Sequence, residues 1–291
     1  MILITGASGS VGREVVREML KTGMEFRAMF RTKEDAAKSP QGVKTVIADF
    51  RDAASLANAL LDVEQVFLVC SPIPELVELE GNAIDACRKA GVKRIVLNSA
   101  LGAEDFDKSF PSWHRKVEDK LKASGIENTI LRPNGFMQNT VTYLAPSIRA
   151  QGVFYDAMGG AKTSYVDVRD VAAVAAKVLT SEGHSGKVYE LNGPEAITQE
   201  ELAKQIAAKA GRPVRHITVS PDEYRKGLLD AGVPEWMANA ELDLQSYFQS
   251  GKAAAVDGLI AKLLGRPERT IDQFLSEAAD EFREQKANAG A

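Results

Sequence analysis

Residues 6, 9 and 12 are glycines within Thr5-Gly6-Ala7-Ser8-Gly9-Ser10-Val11-Gly12, between the apolar run Ile2-Leu3-Ile4 and an amphipathic stretch from Arg13 to Lys21. That order is strand, glycine turn, helix. Glycine at all three positions suits a backbone that turns sharply, admits a bulky group against itself and packs the next helix close to the strand. A pyrophosphate is such a group, because the free amides and positive dipole end of a helix N-terminus hold it without a basic side chain. Two residues separate Gly6 from Gly9, which departs from the G-x-G-x-x-G spacing, and no Lys-Ser/Thr pair follows as in a phosphate-transfer loop. For the triplet alone, a tight turn without any ligand is the competing explanation.

A second charge position bears on the choice. Glu25 to Phe30 reads as a strand ending at Arg31-Thr32-Lys33. An acidic residue there would bond a ribose 2′-hydroxyl, whereas a guanidinium suits a 2′-phosphate. Arg31, helped by Lys33, therefore favours a phosphorylated dinucleotide, against the simpler reading of a solvated basic loop. Lys44 to Ala48 reads as a third strand, and Asp49-Phe50 at its end would lie beside an adenine in a doubly wound sheet. Asp49 stays ambiguous. Asp52 is accounted for as the cap of a helix running to about Leu61.

Gln65 to Cys70 is nearly all apolar, as a strand covered on both faces should be. Ser71-Pro72-Ile73-Pro74 ends it, and a helix follows from about Glu75 to Ala90. Arg94 to Asn98 is a fifth strand leading to Ser99, a helix spans about Ser112 to Ala123, and Asn128 to Arg132 is a sixth strand closed by Pro133. Strands alternating with helices in this way require parallel pairing and right-handed crossovers. The expected fold is α/β, a doubly wound, mostly parallel Rossmann sheet with its ligand at the carboxyl ends of the strands.

Beyond Pro133 the rhythm changes. Gly152 to Asp156 and Thr163 to Val166 are short extended pieces flanking Gly159-Gly160, Asp167 and Asp170 resemble a capping box for a helix to Leu179, and Lys187 to Leu191 is a seventh strand. From Thr198 onward the pattern is mostly helical, broken at Gly211-Arg212-Pro213 and Gly232-Val233-Pro234, and a polar tail after Phe282 is expected to fray. The expected division is a dinucleotide-binding domain over 1–133, with 167–192 packing back onto it. A smaller, mainly helical substrate lobe, 134–166 and 193–291, would cover the ligand crevice.

The 291 residues carry a net charge of -4, which argues against a dominant nucleic-acid or anionic-membrane surface. No run approaches the length of a membrane span, and with a strand from residue 2 no presequence is expected. Cys70 and Cys87 are the only cysteines, and His114, His184 and His216 fall in different elements, so neither a disulfide framework nor a metal site is expected. A cytoplasmic setting follows from that cysteine usage.

If a nicotinamide lies across the strand ends, Ser71, Ser99, Lys116 and Pro133 to Phe136 surround its ring. Thr5 to Gly12, Arg31, Asn98-Ser99, Lys116, Leu131-Arg132-Pro133 and Phe136-Met137-Gln138-Asn139 together resemble the NmrA-like branch of the atypical short-chain dehydrogenase/reductases. The similarity runs over most of the chain, including Glu182-Gly183-His184 and Ala231 to Pro234, and is greatest toward the quinone-oxidoreductase and triphenylmethane-reductase types. It implies an extended Rossmann domain binding NADP(H), with Gly6, Ala7, Ser8, Gly9, Ser10, Val11, Gly12, Arg31, Asp49, Phe50, Cys70, Ser71, Asn98, Lys116, Pro133 and Phe136 at the cofactor. The implied partner is a small planar acceptor, with room for a homodimer.

Short-chain dehydrogenases place a tyrosine four residues before the lysine, where it protonates a carbonyl. Lys116 fits the lysine; the position four before it is Ser112, and no tyrosine lies between Phe106 and Lys122. His114 and Glu118, spaced i, i+4, would share a helix face on which the carboxylate could hold the imidazole as proton donor, or would pair there by chance. Lys116, His114 and Ser99 are thus the catalytic candidates. A quinone needs less help, since it accepts hydride readily and its product takes a proton from water. Phe136, Met137, Tyr143, Phe154 and Tyr165 could line a slot for it, or serve as core. The two functional expectations are an NADPH-dependent reductase of quinone-like or conjugated planar acceptors, and an NADP(H)-sensing regulator without turnover.

Overall fold

The computed structural model describes residues 1–283, so the polar tail lies outside the described residues beyond Arg283. In chain order the elements are β1 (Ile2–Ile4), α1 (Ser10–Thr22), β2 (Phe26–Phe30), α2 (Lys33–Ala36), β3 (Lys44–Ile47), α3 (Ala53–Ala59), β4 (Gln65–Leu68), α4 (Leu76–Ala90), β5 (Arg94–Asn98), α5 (Ser109–Ala123) and β6 (Glu127–Pro133). There follow α6 (Ala145–Gln151), β7 (Val153–Asp156), β8 (Lys162–Thr163), α7 (Val168–Thr180), β9 (Val188–Leu191), β10 (Ile197–Thr198), α8 (Gln199–Ala210) and β11 (Arg215–Thr218). The chain closes with α9 (Pro221–Asp230), α10 (Glu235–Gln249), α11 (Leu259–Leu264) and α12 (Ile271–Glu277).

The helix limits have local causes. The Asp52 carboxylate accepts from the Ala54 and Ser55 amides at the start of α3, and the Thr32 hydroxyl accepts from Asp35 N to cap α2, a short helix that the sequence reading treats as loop. Gly23 and Gly91 end α1 and α4 in the left-handed region, at φ 69° and 75°. Along α1, Val11, Val15, Val16 and Met19 form the buried stripe.

Two compact units result. The first comprises Met1–Pro133, Val168–Leu191 and Leu259–Pro267. Its sheet has seven strands, all parallel, in the order β3-β2-β1-β4-β5-β6-β9. This is the expected doubly wound Rossmann sheet. Ile2 is in register with Phe26 on one side and Gln65 on the other, so the strand order reverses beside β1, where such sheets bind ligands. Leu3, Val66, Leu68, Leu76, Ile84, Ile95, Leu97, Val117 and Leu121 belong to one core, and α1 packs against α7. Burying each aliphatic side chain of this kind stabilises by about 1.5 to 3 kcal/mol.

The expected lobe boundary needs correction after residue 192. Leu259–Pro267 joins the first unit because α11 packs on α7 and β9, and Arg266 Nη2 donates to the Asp170 carboxylate at 2.8 Å.

The second unit comprises Asn134–Asp167, Asn192–Gly258 and the chain from Glu268. Its core gathers Met137, Ile148, Phe154, Leu202, Ile206, Phe274 and Leu275. It is less helical than the sequence reading expects, because Arg215–Thr218 pairs in parallel with Val153–Asp156. Asn134 is its buried clasp, donating to Ser164 Oγ at 3.0 Å, Asn192 Oδ1 at 3.0 Å and Ala253 O at 2.9 Å.

Candidate functional site

The glycine turn is sterically obligatory. Gly6 sits at φ 57°, and a Cβ there would come within 2.8 Å of Val69 Cγ1 and 2.9 Å of Val69 O. A Cβ on Gly12 would lie 2.2 Å from Gly6 O, so α1 starts as close to the β1 turn as a backbone without side chains permits. Gly9 N donates to Gly6 O at 2.9 Å, closing the turn. Thr5 ties it to the sheet: its hydroxyl donates to Phe67 O at 3.0 Å and accepts from Val69 N at 3.0 Å.

Gly9 then occupies the N-cap of α1, with no side-chain cap and no acidic residue in the first turn. Most helices satisfy these orphan amides internally. Among the described residues no side-chain cap covers the Ser10, Val11 and Gly12 amides, with Ser8, Gly9 and Ser10 exposed and Ala7 and Val11 buried beneath. The cradle fits a pyrophosphate.

Arg31 is exposed at the end of β2, and among the described residues no hydrogen bond or ion pair engages it. Lys33 lies in α2 and is likewise exposed. Asp49 is used locally: its Oδ1 accepts from Arg51 N at 2.8 Å and its amide donates to Ser55 Oγ at 3.1 Å. Phe50 is a core residue, and its carbonyl accepts from Asn82 Nδ2 at 3.2 Å. Cys70 is half-buried and Ser71 exposed. Burial first, then the nearby Glu80 charge, pushes the Cys70 thiol up to about 11, so it stays protonated.

Around the ends of β5 and β6 a polar network replaces the arrangement anticipated for His114. Glu118 accepts from Ser99 Oγ at 2.6 Å and from Arg132 Nε and Nη2 at 2.9 and 2.8 Å. Burial opposes its ionisation, but the bonds from Arg132 and Ser99 outweigh it and hold the carboxyl below the ordinary range. Arg132 Nη1 also donates to Glu104 at 2.6 Å. Glu118 is therefore committed to Ser99 and Arg132, with Lys122 Nζ donating to it at 3.4 Å, and among the described residues no hydrogen bond joins it to His114.

His114 is buried with Nδ1 unpartnered, and burial lowers its pKa to about 4 against a smaller opposing pull from Glu118. Burial favours the neutral imidazole, and among the described residues no hydrogen bond from Glu118 holds it as the sequence reading envisaged for a proton donor. Lys116 is exposed on α5. The Ser112 hydroxyl, in the place of the short-chain dehydrogenase tyrosine, donates to Ser109 O at 2.9 Å. Asn98 is buried with Oδ1 unpartnered, and Pro133 O accepts from Leu101 N at 3.0 Å.

In the second unit Phe136 is half-buried, and the adjacent Met137 amide donates to Val166 O at 2.9 Å. Met137 and Phe154 are core residues there, one of the two roles the sequence left open for them. Tyr143 is 55% exposed and Tyr165 half-buried. The sequence reading missed the Glu118–Arg132 pair and the buried Glu80. Glu80 is four residues after Leu76 on α4, a spacing that shares the helix's buried face.

A family model described as NAD(P)H-binding matches residues 6–182, from the glycine turn through α7. The chain belongs to that family. An NAD(P)H azoreductase of Xenophilus azovorans is 35% identical over 287 residues, covering 97% of this chain and 99% of that protein. An NADPH-dependent quinone oxidoreductase of Escherichia coli, solved with NADPH, superposes with a TM-score of 0.89 at 32% identity over 95% of this chain and 99% of that one. A triphenylmethane reductase of Citrobacter sp., solved with NADP(H), gives a TM-score of 0.86 at 27% identity over 96% of this chain and 100% of that one. The matched segment of this NAD(P)H-binding chain contains the uncapped start of α1, Arg31 and the Glu118–Arg132 pair. Among the described residues no helix is long and apolar enough to cross a membrane.

Proposed function

We propose that this protein is an NADPH-dependent oxidoreductase that transfers a hydride to quinone-like or other conjugated planar acceptors. The observation that carries this is the uncapped N-terminus of α1 set against the glycine turn, with an unengaged Arg31 at the end of the neighbouring strand. The Ser10, Val11 and Gly12 amides hold the pyrophosphate, and Arg31 with Lys33 holds the 2′-phosphate. Asp49, Phe50, Cys70 and Ser71 border the adenosine end, while Asn98, Lys116 and Pro133 serve the nicotinamide end. When bound, the cofactor supplies the hydride.

The relatives' printed activities, on azo compounds, quinones and triphenylmethane dyes, support an electron-poor conjugated acceptor. Ser112 supports the same choice, because a hydroxyl turned to its own helix backbone is no proton donor, and such acceptors do not depend on one. Ser99 and Arg132 act through Glu118 to fix the ends of β5 and β6. Free Cys70 and Cys87 suit a reducing cytoplasm. Mixing purified protein with NADPH and a panel of quinones and dyes should consume the reduced-nicotinamide absorbance. Tight NADP(H) binding with no turnover on any acceptor would instead establish the second reading, a cofactor-sensing regulator, which Ser112 also favours.

A further inference from the structure

The carboxyl ends of β2 and β3 lie side by side. Phe30 is in register with Ile47, and Ala48 N donates to Phe30 O at 2.9 Å, so Arg31 and Asp49 leave the sheet at the same end. Past Ala48 the chain turns tightly into α3. Asp49 Oδ1 accepts from Arg51 N at 2.8 Å, Asp49 O accepts from Asp52 N at 2.9 Å, and Asp49 N donates to Ser55 Oγ at 3.1 Å. Phe50 is buried in the core, with its carbonyl held by Asn82 of α4, whereas Arg51 stands exposed on the outside of the turn.

The Arg51 guanidinium is loosely held. Its side chain is 51% exposed, Nη1 lies 4.0 Å from Asp49 Oδ1, and among the described residues no hydrogen bond engages it. An exposed ion pair at that separation contributes little, so a better anion displaces it at small cost. Arg31, at the end of β2, is exposed as well. Burial raises the Cys70 thiol at the end of β4, and Arg51 and Arg31 both act against it, so the two cations bear on one place. Nearby acids are occupied: Asp35 accepts from Lys38 Nζ at 3.0 Å and from the Thr32 hydroxyl at 3.1 Å, and Asp52 accepts from the first amides of α3.

Two guanidiniums brought to the same end of a sheet repel each other and gain from an anion between them. A phosphate monoester carries about −1.5 to −2 charge at pH 7, more than one guanidinium offsets. Asp49 gives a second reason for another cation there. Its carboxylate belongs to the same turn and would repel such a dianion, and Arg51 is the cation beside it.

We propose that Arg51 is a specificity-determining residue, a second arm for the dinucleotide 2′-phosphate that closes from the β3 side while Arg31 closes from the β2 side. This rests on the NADPH reading and adds a residue to its site. Arg51 exchanges its long contact with the Asp49 carboxylate for the phosphate oxygens, and its guanidinium then stands between the two anions. The 2′-hydroxyl of NADH offers too little to draw it from Asp49. Residue 51 thereby raises the preference for the phosphorylated dinucleotide through the adenosine end alone.

The test is calorimetric titration of the purified protein with NADPH and with NADH. Arg51→Ala should weaken NADPH about tenfold and NADH less than about twofold, with Arg51→Lys between, because a point charge replaces a planar fork. Adding Asp49→Asn to Arg51→Ala should recover part of the NADPH loss, since the repelling charge goes while the oxygen that accepts in the turn stays. The side chain of Arg51 is exposed, so the unfolding midpoint should hardly move, which identifies the variants as folded. Equal losses for both dinucleotides, no loss for NADPH, or a loss that Asp49→Asn does not relieve would overturn the proposal. Arg31→Ala separates it from the wider reading. A selective loss at Arg31 with none at Arg51 overturns the role of Arg51 alone, whereas an unsubstituted protein that binds NADPH no better than NADH, with no response at Arg31, sinks the phosphorylated-cofactor reading too.

Discussion

Arg132 grips Glu118 through Nε at 2.9 Å and Nη2 at 2.8 Å, joining the end of β6 to α5 by a bidentate pair in which the side chains are 4% and 1% exposed. Ser99, at the end of β5, completes the tie. Breaking such a pair strands one desolvated charge, so Glu118→Gln should cost about 3 to 5 kcal/mol in urea unfolding. Replacing both, as Glu118→Leu with Arg132→Met, should cost less than the two single changes added together. An additive result would mean that the two side chains do not act as a pair.

Two buried carboxyls give stability a pH optimum with opposite flanks. Glu118 has a depressed folded pKa, so its contribution is present above the unfolded value and is lost as pH falls through the folded one. Glu80 is fully buried with both oxygens unpartnered, and burial raises it to about 8. Its neutral form suits the fold, so stability is full below the unfolded pKa and falls as pH rises toward 8 and beyond. Glu80→Gln should therefore remove the alkaline flank, gaining on the order of 3 kcal/mol over the parent at about pH 9. Unchanged alkaline unfolding in that variant would contradict the assignment.

The glycines should rank by the space around them. Gly12→Ala puts a methyl 2.2 Å from Gly6 O, and Gly9→Ala puts one at 3.3 Å from the same atom. The first should lower stability by about 1 to 3 kcal/mol and weaken NADPH binding about tenfold or more, while the second should be mild on the fold. Thermal melts and calorimetric titrations on both variants check the order.

Arg31→Asp should weaken NADPH binding by about 1.5 to 3 kcal/mol and leave NADH nearly unaffected, since only the former carries the 2′-phosphate. Isothermal titration with the two cofactors reads the difference directly. Equal losses would remove the reason for preferring the phosphorylated form.

The legible parts are those written in short-range pattern. Apolar β-branched runs such as Ile2–Ile4 and the Asp52 cap mark strand and helix locally. β11 was not legible, because Arg215-His216-Ile217-Thr218 has no apolar run and becomes a strand only by pairing with β7. The membership of Leu259–Pro267 in the first unit depends on α11 meeting α7, an event no local pattern records. His114 shows the limit most directly. Its i, i+4 spacing to Glu118 is real, but Arg132 and Ser99, brought by other strands, take the carboxylate.

By itself the sequence determined the parallel sheet, the glycine cradle at the start of α1 and the cation at the end of β2, because each follows from neighbours within a few positions. Tertiary structure alone decided which charges are buried and whom they bond. It left Glu80 unpartnered and joined Glu118 to Arg132. The physical reason is that desolvation and hydrogen-bond pairing depend on groups from distant segments, and those exist around a residue only after the chain has folded.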